Sequence, residues 1–194
     1  MGEATRTDLA PLREPPAAPQ VATHNFRFSE DYDLYPSGAK TKYKNNVMAI
    51  KLLKQIELEK RTATPEEQII LARYVGWGGL ANAFSSTASG WENEYQELKS
   101  LLTDVEYKAA MNSTITAYYT EPDLIRHIYR ALERFGFEGG PDRKILDPGM
   151  GTGNFYSVLP EQFQGSKLFG VELDSITGRI AKQLYPDADI SITG

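Results

Sequence analysis

The sequence predicts an α/β fold in which a helical first half leads into a small parallel sheet. Two observations carry this. Residues 144–193 alternate strand and helix patterns in the order β-α-β-α-β, which short connections turn into parallel strands with crossover helices, a Rossmann-like arrangement. Residues 41–111 show helix starts and apolar residues at helical spacing, with no strand pattern between them.

Taken in order, residues 1–24 are rich in Pro, Ala and charge ("APLREPPAAPQ") and read as a disordered lead-in. "NFRFSEDYDLYPSGAK" carries Phe26, Phe28, Tyr32 and Tyr35 without a sustained period, so an extended arm lying over a later surface is expected. Between Thr41 and Lys60, the residues Val47, Ile50, Leu53, Ile56 and Leu58 recur near helical spacing. Thr64-Pro65-Glu66-Glu67 is a capping box with Pro at the first helical position, opening a helix through Tyr74 that stops at Gly76. The break "GWGGL" follows. Trp77 is expected to anchor the core there, while the glycines end one helix and admit close packing. Two short helices are expected over Trp91–Leu102 and Asp104–Met111.

Thr120-Glu121-Pro122-Asp123 reads as a second cap, with Thr120 as the capping residue. It starts a helix whose apolar face is Leu124, Ile128, Leu132 and Phe135, ending at Gly136. Then come a strand over Lys144–Asp147, a glycine loop, a short helix to about Leu159, the strand "KLFGVEL", a helix over Ser175–Tyr185 and a last strand in "ADISIT". The expected organisation is a lead-in (1–24), a helical subdomain (25–112) and a Rossmann-like part (113–194).

Composition narrows the function. Lys and Arg number 21 against 26 Asp and Glu, a net charge of −5, so the chain lacks the basic balance of a self-sufficient nucleic-acid clamp. The sequence has no cysteine, which excludes disulfides, thiolate zinc sites and cysteine nucleophiles. Its only histidines, His24 and His127, are too few and too far apart for a metal centre. No apolar run approaches a membrane span, and a cytoplasmic location is expected. Lys40, Lys42 and Lys44 around Tyr43 read as a solvated helix start, the sharper alternative being a phosphate contact. His127 reads as a surface or boundary residue, and no catalytic triad or close carboxylate pair stands out.

The glycine loop "ILDPGMGTGNF" carries most of the functional information. A triphosphate-binding loop ends in Gly-Lys-Ser/Thr, whereas Gly153 is followed by Asn154 and Phe155. The dinucleotide pattern Gly-x-Gly-x-x-Gly/Ala fails too, since Asn154 or Tyr156 stands at the last position. What remains is Asp147, Gly149, Gly151 and Gly153. A carboxylate at the strand end repels a pyrophosphate but suits a ligand bearing an ammonium and a sulfonium, as S-adenosylmethionine does. Glu172 ends the next strand 172 − 153 = 19 residues past the last glycine, near the ~20 expected of an acid that hydrogen-bonds ribose hydroxyls. Asp174, followed by Ser-Ile-Thr, reads as the cap of the next helix. The plainer alternative is a strand-to-helix turn with Glu172 at a solvated end.

These stretches resemble a known family. "ILDPGMGTGNF" is similar to motif I of adenine-N6 DNA methyltransferases and "LFGVELD" to their motif II. "AYYTEPDLIRHIY" is similar to the motif preceding motif I when the cofactor region comes first. With "KYKNNVMAIKLLKQIE", "ATPEEQIILARYVGWGGLANAF" and "GVELDSITGRIAKQLYP", residues 25–194 resemble the methylase region of very large methylase–helicase proteins of conjugative elements and phages.

The resemblance implies part of a class I methyltransferase fold. It implies that Asp147, Gly149, Gly151 and Gly153 contact the methionine part of S-adenosylmethionine, that Glu172 holds the ribose, and that Tyr119 and Thr120 close over the cofactor. DNA is the implied substrate, and a helicase region or partner chain an implied associate. The family's Asn/Asp-Pro-Pro-aromatic tetrapeptide, which orients the flipped adenine, is not found in the sequence, so no catalytic residue is assigned and the chain alone is expected to be inactive. Two alternatives stay open: a non-catalytic cofactor-binding or scaffold module of a helicase or antirestriction protein, and a methyltransferase acting on RNA or protein. In a family sheet the strand at Lys144–Asp147 is internal, so an unpaired edge, with self-association or marginal stability, is expected here.

Overall fold

The computed structural model describes residues 24–35 and 37–194. The lead-in expected over residues 1–24 therefore lies, but for His24, outside the described residues. Helix α1 (Ala39–Leu58) buries Tyr43, Val47, Ile50, Leu53 and Ile56, a 3–4 residue repeat, whereas Leu58 is left exposed at its end. Helix α2 (Pro65–Ala72) begins at the expected capping box. The Thr64 hydroxyl accepts from the Glu67 N–H at 3.2 Å, and the Glu67 carboxylate accepts from the Thr64 N–H at 2.9 Å. It ends at Ala72, short of Tyr74. Trp77 follows, 1% exposed, ringed by Tyr43, Tyr74 and Phe84. After a 3-10 turn at Ala81–Phe84 come α3 (Glu92–Leu101) and α4 (Asp104–Ser113), the latter opened by a second capping box, Thr103 with Glu106.

Helix α5 spans Pro122–Arg134 and corrects two expectations. Thr120 does not cap it. With Pro122 at the first helical position the cap falls on Glu121, whose side chain makes no capping bond; at α2, Thr64 stands directly before Pro65 and does cap. The apolar face differs as well. Ile125 and Tyr129 are the buried pair, Tyr129 packing on Phe155 and Phe163, whereas Leu124 is 58% and Phe135 78% exposed. Two apolar stripes lie side by side on this helix, and spacing alone does not say which one meets the core.

Strands β1 (Lys144–Asp147), β2 (Lys167–Glu172) and β3 (Asp189–Ile192) form a parallel sheet in the order β1-β2-β3. The turn α6 (Asn154–Ser157) links β1 towards β2, and α7 (Ser175–Leu184) links β2 to β3. The strand and helix order matches the β-α-β-α-β expectation, and β1 is an edge strand among the described residues, with Leu146 exposed.

Helix α7 joins the two halves. Its inner face buries Ile176, Ile180, Ala181 and Leu184 against the sheet, and α2 and α1 pack on it. The buried Gln68 amide of α2 donates to the Leu184 carbonyl at 3.3 Å. Arg179 reaches Glu106 at 3.0 Å and Glu57 at 3.0 Å, so one α7 cation ties together α1 and α4. The arm lies as expected: the Phe26 N–H donates to the Leu184 carbonyl at 2.7 Å, and the Phe28 N–H to the Ser157 carbonyl at 2.9 Å.

Candidate functional site

A cavity of about 580 Å³ opens at the C-terminal ends of β1 and β2, the end at which open parallel sheets take their ligands. Its floor is Gly149, Gly151 and Glu172, with Leu173, Asp174 and Thr177 beside them. Its roof is the end of α4, with Asn112 and Ser113, and the connection to α5, with Thr116 and Tyr119, together with Tyr74 and Gly76 from the helical half. The volume lies within the ~300–1000 Å³ usual for small-molecule sites.

Glu172 organises the floor. One carboxylate oxygen accepts from the Gly151 N–H at 2.9 Å and the other from the Asp174 N–H at 2.8 Å, so the end of β2 is stitched to the loop leaving β1. A carboxylate offers about four lone-pair sites. Two such sites remain for further donors. Burial pushes the Glu172 carboxyl above the ordinary range, while the backbone donors pull the other way. Asp174 is the cap it was expected to be, accepting from the Thr177 N–H at 2.8 Å.

The glycines differ in what they do. Gly149 is exposed, and a Cβ on it would meet nothing within 4 Å, so the space above its backbone is open to a ligand. Gly151 has φ +56, a left-handed conformation that disfavours side chains, and faces the Tyr119 ring. Gly153 does not line the cavity; a Cβ there would collide with the Tyr185 ring, so its small size serves packing. Asp147 also lies outside the cavity wall. It is half-buried at the end of β1, where its carboxylate accepts from the Gly149 N–H at 3.2 Å and burial raises its carboxyl above the ordinary range. Thr120 lies one residue beyond the wall, and its carbonyl accepts from the Asn154 amide at 3.1 Å.

Of the residues expected from sequence, the structure thus brings Tyr119, Gly149, Gly151 and Glu172 around one cavity and places Asp147, Gly153 and Thr120 just behind it. Apart from Tyr119, the roof residues were not among those expected from the sequence. The run "MNSTITAYY" has small polar residues with no period, and that composition before a helix was the roof's only signal.

Electrostatics restrict what this cavity holds. Its lining includes the carboxylates of Glu172 and Asp174 and, among the described residues, no lysine or arginine. A polyphosphate would meet repulsion without a counter-charge, whereas a ligand with positive groups would offset two carboxylates held in a partly desolvated site. No group of His, Asp and Glu suited to a metal ion occurs among the described residues. In the candidate nucleic-acid patch Lys40 pairs with Glu94 at 2.6 Å and lies over Trp91, and Tyr43 is buried, whereas Lys42 and Lys44 are exposed. His127 is exposed. No described helix is long and apolar enough to cross a membrane.

Over 148 residues, 76% of the chain, the sequence is 25% identical to "Defense against restriction protein B" of Escherichia phage P1. The matched chain spans only 5% of the length of that phage protein. No protein-family model and no solved structure matches the chain.

Proposed function

We propose that this chain is the S-adenosylmethionine-binding part of an adenine-specific (N6) DNA methyltransferase, of the kind found in large methylase–helicase proteins of mobile elements. The observation that carries the reading is a cavity at the strand ends that joins an open glycine backbone to buried carboxylates without a cation. Glu172 would accept the ribose hydroxyls through its free lone pairs. The Gly149 backbone would let the methionine part approach, and Asp147 would hold Gly149 in place and add negative charge behind it. Tyr119 would form the opposite wall and exclude water. The bound cofactor would supply an electrophilic methyl group on its sulfonium. Similarity to a phage protein named for defence against restriction supports the mobile-element setting.

The sequence lacks the tetrapeptide that orients an adenine amine, which favours a second reading for the chain taken alone: a non-catalytic cofactor-binding or scaffold module. Titration calorimetry with S-adenosylmethionine tests the shared claim. Wild type should bind, and Asp147→Ala should bind at least ~10-fold more weakly, a factor equivalent to ~1.4 kcal/mol. Wild type that releases no heat across the titration and competes for no labelled cofactor contradicts both readings. Transfer of a labelled methyl group to duplex DNA should stay at background; turnover above it contradicts the expectation that this chain is inactive alone.

A further inference from the structure

Tyr119 sits between two glycines remote from it in sequence. Its Cδ1–Cε1 edge occupies the position where a Cβ on Gly151 would project. On its other side, a Cβ on Gly76 would come within 2.8 Å of Cε2 and 3.2 Å of the phenolic oxygen. Gly76 has φ +69 and is itself gripped. Asn46, fully buried on α1, donates its amide to the Gly76 carbonyl at 2.6 Å and accepts from the Val75 N–H at 2.9 Å.

The following turn is fastened to the segment that carries Tyr119. The Gly79 N–H donates to the Thr114 carbonyl at 3.0 Å, and a Cβ on Gly78 would collide with the Ala117 carbonyl. Gly76, Tyr119 and Gly151 all line the same cavity. The ring is thus confined on both edges, and a methyl group added at Gly76 would drive it against the loop or into the cavity.

We infer that Gly76 is a positioning residue of the ligand cavity: with Asn46 it sets the Tyr119 ring against Gly151, and so fixes the wall that a ligand on the glycine loop meets. The "GWGG" turn of the helical half thereby belongs to the binding site, although it is far from the loop in sequence. This role rests on the cofactor reading for the choice of ligand, but not for the contact itself.

The test is a double-mutant cycle with Gly76→Ala, Tyr119→Ala and their combination, alongside Gly136→Ala. Gly136, past the end of α5 and outside the cavity lining, has φ +78 and open space where a Cβ would project, so that control carries comparable backbone strain without the ring contact. One readout, taken without ligand, is amide exchange at Gly151, whose N–H is bonded to Glu172. The other is S-adenosylmethionine affinity.

Gly76→Ala should speed Gly151 exchange and weaken binding by about 5- to 50-fold, and by less than about 2-fold in the Tyr119→Ala background, as contacting residues couple. Gly136→Ala should change either readout by less than about 2-fold. Equal effects in both backgrounds, or equal effects of Gly76→Ala and Gly136→Ala, overturn the inference. If Gly76→Ala does not fold, the double variant decides: recovery of folding supports the ring contact as the cause, and continued failure overturns it. Wild type without affinity for S-adenosylmethionine refutes the cofactor reading, and Gly151 exchange then settles Gly76 by itself.

Discussion

Replacing Glu106 by Gln should loosen the contact between the helical half and α7. The carboxylate is 8% exposed and carries three loads: it accepts from the Thr103 N–H at 2.9 Å, from Lys54 at 3.0 Å and from Arg179 at 3.0 Å. Burial alone would raise its pKa. The Thr103 N–H and the two cations outweigh burial and hold it at about 2, against an ordinary 4.5. At ~1.36 kcal/mol per pH unit, that difference corresponds to about 3 kcal/mol in favour of the folded state. Lys54 and Arg179 are 31% and 29% exposed, so solvent screens part of this and about 2 kcal/mol is expected. Gln keeps the shape and one acceptor but turns an amide N–H₂ towards a cation.

The sign follows from a lowered pKa. The stabilisation is complete above the ordinary carboxylate value and is lost as pH falls towards about 2. Urea unfolding should show the variant about 2 kcal/mol less stable near neutral pH, with the gap closing between about pH 5 and pH 2. Equal stability at neutral pH, or a gap that persists on acidification, would refute the reasoning.

Other outcomes follow from the same geometry. Burial raises both Glu172 and Asp147, so protonation at low pH removes the charge a cationic ligand needs. Affinity for S-adenosylmethionine should rise with pH through the raised carboxylate range, by on the order of tenfold, and calorimetry at a series of pH values that shows a flat or falling trend contradicts this. For the folded protein without ligand the same raised values run the other way: their contribution favours stability below the ordinary carboxylate range and is lost as pH rises through the raised one. The β1 edge, with Leu146 exposed, should drive concentration-dependent self-association that Leu146→Lys abolishes. Sedimentation velocity finding a wild-type monomer at about 50 µM would oppose it.

The elements were legible because local chemistry bounds them. Thr64-Pro65-Glu67 satisfies a helix start within four residues, and the apolar strands β1 and β2 are flanked by glycines and charge. The cavity floor was legible for the same reason, since Gly149, Gly151 and Glu172 lie at or just past two consecutive strand ends. Where neighbours remote in sequence decide, spacing fell short. Ile125 and Tyr129 rather than Leu124 face the core, on the side where Phe155 and Phe163 pack against Tyr129. Gly153 reads like a ligand glycine until Tyr185 arrives from the end of α7. The Tyr119 wall depends on Gly76 and Asn46, whose packing against the connection before α5 no periodicity encodes.

On the proposed reading, S-adenosylmethionine binds in the cavity at the ends of β1 and β2 through the loop backbone and Glu172. Titrating the ¹⁵N-labelled protein with S-adenosylmethionine and following each amide by NMR tests it most directly. The largest shifts should fall on Gly149, Gly151 and Leu173, and Glu172→Ala should remove them. Unchanged spectra at saturating ligand, or shifts confined to residues away from these strand ends, would contradict the account.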